Sequence, residues 1–146
     1  MAASISILLI ASALGSYYSG SLRITKKTLL LVPVVIAILL LFHIIFLSNI
    51  LSCTIAASLA VKILISIVLI GFTGFFLGIP FPAGIKYLSD VRQADIPWAW
   101  AYNGYFSVIS TVLATIISVE AGFVWVLVLA AISYTLAGLA NFLLKS

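Results

Sequence analysis

The fold class this sequence predicts is all-α: a polytopic transmembrane helix bundle of about five spans, with the N-terminus outside and the C-terminus cytoplasmic. Three observations predict it. Hydrophobic residues make up 65% of the 146 and charged residues 7%, against about 25% charged in an ordinary soluble domain, and the mean hydropathy is +1.40. The apolar residues fall in long runs that lack the period-two alternation of a barrel strand. Lys and Arg gather at alternate ends of those runs, as the positive-inside rule requires. Seven Lys and Arg, three acids and a single His cannot clothe a water-facing domain of this size, so most of the chain must be solvated by lipid. At about 20 residues per span, five spans leave roughly forty for every loop and terminus. No soluble catalytic domain fits in that remainder. The whole of 1–146 reads as a single transmembrane domain, a fragment or subunit of a larger assembly.

The first span is expected at 2–18. Met1 to Ile10 carries no basic residue, so it lacks the n-region of a signal peptide. Ala11, Gly15 and Ser19 form a row of small residues at helical spacing, the mark of a packed face in lipid. Arg23, Lys26 and Lys27 then make a basic loop. The second span, 28–48, is almost uniformly large and apolar, and Pro33 lies close enough to its start to be tolerated. With no row of small residues, it is expected to be the most lipid-exposed helix. The third span, 57–85, begins near Lys62, whose long side chain can snorkel to the outer headgroups, and carries Gly71, Gly74 and Gly78 as a second small-residue row.

Two prolines two residues apart, Pro80 and Pro82, remove two backbone donors, so the third helix should kink or end there. Lys86, Asp90, Arg92 and Asp95 follow as a hydrated loop. The fourth span, 97–118, opens with Pro97 in a first turn, where proline is favoured, and with Asp95 as a candidate cap. Its stripe of Asn103, Ser107, Ser110, Ala114 and Ser118, and that of Ala130, Tyr134, Ala137, Gly138 and Asn141 on the fifth span, 122–144, are read as packing faces. A polar pathway centred on Asn103 is the sharper alternative. Transport sites usually add an intramembrane charge, and no acid lies deep in any span. Asn103, Ser107 and Asn141 are thus candidates for interhelical or ligand contact.

If the spans alternate across the bilayer, Arg23, Lys26, Lys27, Lys86, Arg92 and Lys145 all fall on one side, which the positive-inside rule makes cytoplasmic. Tyr17, Tyr18, Tyr87, Trp98 and Trp100 gather near that boundary and Trp125 near the other, as an aromatic belt should. The net charge of +4 is therefore a topology signal and a contact with anionic headgroups, with the lipid bilayer as partner and no nucleic acid.

Catalysis has little to work with. One cysteine, Cys53, allows no internal disulfide, and one histidine, His43, cannot build a multi-histidine metal site. No cofactor or metal is expected, and no enzyme activity. His43 reads as an interfacial side chain rather than a proton relay, Cys53 as a free thiol and Glu120 as a solvated turn residue.

The most informative stretch is Gly78-Ile79-Pro80-Phe81-Pro82-Ala83-Gly84, followed after a polar loop by Pro97-Trp98-Ala99-Trp100-Ala101-Tyr102-Asn103-Gly104 and then Ser107-Val108. Taken alone, these residues describe a rigid turn at the membrane surface. They also resemble the C-terminal membrane region of multi-pass spermidine-synthase-like proteins, in which a soluble aminopropyltransferase-like domain is joined to helices that look related to major-facilitator transporters. The resemblance rests on Gly78, Pro80, Phe81, Pro82, Gly84, Pro97, Trp98, Trp100, Asn103, Gly104, Ser107 and Val108, and its densest part spans about thirty residues. Gly15, Gly20, Arg23, Lys26 and Lys27 are similar in order to a basic facilitator loop, without its usual acid. The family's enzyme domain needs a glycine-rich strand-to-helix turn and acids for the polyamine amine. This chain has no such turn and only Asp90, Asp95 and Glu120, so aminopropyl transfer is not carried over.

The resemblance implies a non-catalytic membrane domain, located in a prokaryotic plasma (inner) membrane, that anchors or docks a soluble spermidine-synthase-like partner on the cytoplasmic side. The alternative is part of a facilitator-like transporter for polyamines or other small solutes, completed by a homo-oligomer or another chain. An assembly subunit without ligand is the third reading.

Overall fold

The chain is all-α. The computed structural model describes residues 2–143, and among these leaves the side chains of Ala2, Lys26 and 141–143 undescribed. Helix α1 is Ala2–Ser21 and α2 is Lys26–Cys53. The next passage is segmented: α3, Leu59–Ser66, widens into a π-helical turn, Ile67–Gly71, and continues as α4, Phe72–Leu77, and α5, Pro80–Val91. A 3₁₀ turn, Gln93–Asp95, leads to α6, Ile96–Glu120, and the last helix is α7, Phe123–Leu143. Five helical stretches are long and apolar enough to cross a membrane, the third being the whole of Leu59–Val91. They coincide with the five expected spans; Leu144 and Lys145 lie outside the described residues.

Local chemistry sets the boundaries. The Thr25 hydroxyl accepts from the Thr28 backbone N–H at 3.3 Å, satisfying one of the orphan donors that open α2. Between α6 and α7, Ala121 and Gly122 donate to the Ile117 carbonyl at 2.8 and 3.1 Å. Gly122 has φ +95°, a left-handed closure in which glycine is favoured because no Cβ meets the backbone. Asp95 stands at the start of α6 as expected, but its side chain makes no cap hydrogen bond. Its carboxylate faces Arg92 at 3.8 Å instead.

Lipid already satisfies apolar side chains, so helices associate through close packing rather than release of water. The two glycine rows do this against each other. A Cβ built on Gly15 would overlap the Phe75 carbonyl, and one on Gly78 would overlap the Ser12 carbonyl, while a Cβ on Gly74 would lie 3.1 Å from the Leu8 oxygen. The glycine hydrogens occupying these directions aim at carbonyl oxygens, the arrangement of a Cα–H···O contact worth about 0.5–1 kcal/mol each. Residue numbers rise together along this interface, from Ile7 beside Gly71 to Ser12 beside Gly78. The first and third spans are therefore parallel.

The second span corrects an expectation. It is the best-packed helix, not the most lipid-exposed, and lies most extensively against α7. Ile36 is fully buried, and Leu40 and Ala131 complete the core with Phe76, Leu127 and Tyr134 around them. The reason is that close approach needs small residues on only one of two partners. Ala130, Ala131 and Gly138 on α7 make the hollow, and large α2 side chains fill it; a Cβ on Gly138 would touch Leu30, Pro33 and Val34 at 3.5–3.7 Å. Here the numbers run in opposite senses, so α2 and α7 are antiparallel.

The fourth span departs in the other direction. No residue of α6 is buried; along its stripe Asn103, Ser107 and Ser110 are exposed, and Ala114 and Ser118 are half-buried.

Gly78→Ala is expected to destabilise the bundle by about 1–3 kcal/mol, the usual cost of overpacking, because the obstacle is backbone. Gly84→Ala and Gly104→Ala, where nothing lies within 4 Å, should be neutral or stabilising by up to about 1 kcal/mol. Reversible unfolding in bicelles compares the three.

Candidate functional site

The proline-centred stretch is a kink. Gly78 and Ile79 keep helical dihedrals, and their N–H groups reach back to Phe75 and Phe76 at 3.3 and 3.2 Å, a tightening to three-residue spacing. Pro80 falls in the first turn of α5, where a missing N–H costs nothing. Ile79 and Ala83 are buried and hold α5 against the bundle. The turned helix delivers Lys86 to the C-terminus of α1, where its ammonium donates to the carbonyls of Gly20 at 2.8 Å and Leu22 at 3.0 Å. A cation there satisfies carbonyls without helical partners and opposes the negative end of the helix dipole.

This clamp brings the first and third connections to one end of the bundle. Arg23, Lys27, Lys86 and Arg92 lie at that end, with Asp90 and with Asp95, which pairs with Arg92. Phe81 meets Trp100 edge to face with ring centroids 4.8 Å apart, so the two halves of the proline and tryptophan motif touch. Trp98 and Trp100 are exposed beside them. Gly84 meets nothing, leaving the face of α5 beneath it open.

Asn103, Gly104, Ser107 and Val108 continue from this end along α6, all exposed. Asn103 and Ser107 line a shallow groove of about 520 Å³ formed by α6 alone. Ser107 donates to the Asn103 carbonyl at 2.6 Å, within its own helix. Trp98, Tyr102 and Phe106 form a ladder beside them, with centroids 6.3 and 6.4 Å apart. Asn141 is on α7, its side chain outside the described residues.

The opposite end holds a feature that sequence reasoning missed. A cavity of about 750 Å³ opens between α1, α2, the third span and α7. Lys62 and the loop after α2 form its lip, and Leu8, Leu40, Leu69 and Leu127 line its wall. The π turn contributes Leu69 and Ile70, in keeping with the frequent placing of such turns at functional sites. Lys62 reaches back seven residues to donate to the Ile55 carbonyl at 2.8 Å, the outward lean expected of a snorkelling lysine. His43 lines the cavity too, on the face of α2 turned to protein, where it had been expected at a lipid interface. Its Nδ1–H donates to the Leu39 carbonyl at 2.7 Å, leaving Nε2 as the ring's other polar atom. Only the long spacing between His43, Lys62 and Thr73 in sequence hid this juxtaposition. Cys53 is exposed.

No protein-family model, curated protein or solved structure matches the chain.

Lys86→Met should loosen the end of α1. Amide hydrogen exchange at Ser21 to Ile24 is expected to rise several-fold, with a loss of about 1 kcal/mol in stability, while Lys27→Met leaves both unchanged.

Proposed function

We propose that this chain is a non-catalytic membrane unit that anchors a soluble aminopropyltransferase-like domain. Its basic end would be cytoplasmic, its N-terminus outside, and its host a prokaryotic inner membrane. One observation carries the reading: the Lys86 clamp on Gly20 and Leu22 gathers the basic loops and the exposed tryptophans into one platform. The likeness of the two motif halves to the membrane region of spermidine-synthase-like proteins supports the choice of partner, and the contact between Phe81 and Trp100 gives those halves a common structural purpose. A positively charged platform of this kind would attract an acidic protein face over about one Debye length, 8 Å at physiological salt.

Facilitator-like transport is the second reading, favoured by the cavity between the helices. It would need a second copy or another chain to close the face of α6, where Asn103 is otherwise left towards lipid. Polyamines would enter that cavity against the charge of Lys62, and no acid is among its described lining residues.

Sidedness is tested by single cysteines in a Cys53→Ser background. An impermeant thiol reagent applied outside should label Glu120→Cys and miss Arg92→Cys; the reverse pattern contradicts the orientation.

Docking is tested by a photocrosslinking side chain at Gln93 in native membranes. The expected product contains an aminopropyltransferase-like protein, and its yield falls several-fold in high salt. Recovery of no such protein would end the docking reading. Uptake of polyamines and small organic cations into proteoliposomes, wild type against Asn103→Ala, tests transport, and absence of flux at every oligomeric state counts against it.

A further inference from the structure

The cavity at the end remote from the basic platform has a polarity that neither reading above explains. Its volume of about 750 Å³ lies within the range of roughly 300–1,000 Å³ common for small-molecule sites. Three of the four hydroxyls in its wall donate to the helices that carry them: Ser66 to the Lys62 carbonyl at 2.9 Å, Thr73 to that of Leu69 at 2.9 Å, and Thr54 to that of Ile50 at 2.9 Å; the fourth is Ser4, in the first turn of α1. The space below the lip is therefore largely apolar, broken by the imidazole of His43 and the hydroxyl of Ser4.

Lys62 stands at the lip. Among the described residues its ammonium has one partner, the Ile55 carbonyl, which leaves donors to spare. The single ion pair among the described residues is between Arg92 and Asp95, at the far end of the bundle. A lone cation above an apolar shaft is complementary to an alkyl chain that ends in an anion.

We infer that this cavity binds an anionic amphiphile, with its alkyl chain between α1, α2, the third span and α7 and its carboxylate or phosphate head on Lys62. The glycine contact between α1 and α4 closes the inner end. Leu77 lines the deepest part and packs with Phe76 on the core of Ile36, Leu40 and Ala131, which stops the chain and sets its depth. His43 is about 16 Å along α2 from Thr54, at 1.5 Å per residue, so it meets the chain rather than the head.

The inference is independent of docking and of transport, and the experiment needs neither. Purified protein in phosphatidylcholine nanodiscs is exposed to a photoreactive long-chain fatty acid and, separately, to its methyl ester. The acid should crosslink within 59–77 and be protected by unlabelled acid. The ester, or the acid with Lys62→Gln, should bind about fivefold more weakly, the scale of an exposed ion pair. Lys27→Gln should bind as wild type. Leu69→Trp, which fills the shaft, should abolish labelling while helicity and melting are retained. Competition by phosphatidylglycerol in the disc would mark a membrane lipid as the source of the head and chain. Binding unaffected by that lipid would mark a free acid. Equal affinity for acid and ester, no effect of Lys62→Gln, or labelling confined to α6 would overturn the inference.

Discussion

The contact on which the rest of the structure depends is backbone against backbone, where Gly15 of α1 meets Phe75 and Gly78 of the third span meets Ser12. In lipid there is little to gain from bringing large apolar side chains together, since the solvent is as apolar as they are. Two helices that approach until only hydrogens separate their main chains gain many dispersion contacts at once. This approach also sets heights. It places the kink at Gly78 beside Ser12, midway along α1, so that α5 runs on beside the second half of α1 and Lys86 can reach Gly20 and Leu22. Towards the other end the interface slackens: α1 touches α4 and the π turn extensively and α3 much less. The cavity occupies the space where those helices part. One contact thus sets both the basic platform and the cavity.

Scarcity of charge gives these two features their meaning. Ten charged residues in 146 leave few places where an ion can be met. Arg23, Lys27, Lys86 and Arg92 share one end with Asp90, Asp95 and the two halves of the proline and tryptophan motif. Lys62 alone marks the cavity at the other. Between these levels the described helices hold no acid, and His43 is the one titratable imidazole. Fixed charge and shape are what both the proposed anchoring of a soluble domain and the inferred capture of an amphiphile would use.

Much of this was legible in the sequence, because in a membrane the span length, the small-residue rows and the cation positions each answer to a single physical cause. Gly71, Gly74 and Gly78 and the row from Ala11 to Ser19 were recognisable as packed faces, and they proved to be one interface. What spacing could not tell was the pairing. The stripe on α6 has the same composition as a packed face, and α2 has none of it, yet α2 lies at the centre of the bundle while α6 lies outside. A row of small residues says that a helix is built to be approached; it does not say whether the partner is in the same chain, nor that the partner must carry a row of its own. The π turn at Ile67–Gly71 left no mark beyond its glycine. Lys86 was legible as a cation near a boundary, but its reach of more than sixty residues back along the chain depends on tertiary placement. The cavity was hidden for the same reason, since its lip and wall come from four separate spans.

The parallel pairing of the first and third spans is the claim from which the rest follows, and disulfide formation measures it most directly. A Cβ on Gly71 would lie 3.6 Å from the Ile7 side chain, within easy reach of a disulfide. In a Cys53→Ser background, Ile7→Cys with Gly71→Cys should crosslink rapidly in membranes under mild oxidant. Ile7→Cys with Ile85→Cys should not. Efficient crosslinking of the second pair and none of the first would contradict the account, since it would set the two spans antiparallel and separate Lys86 from the end of α1.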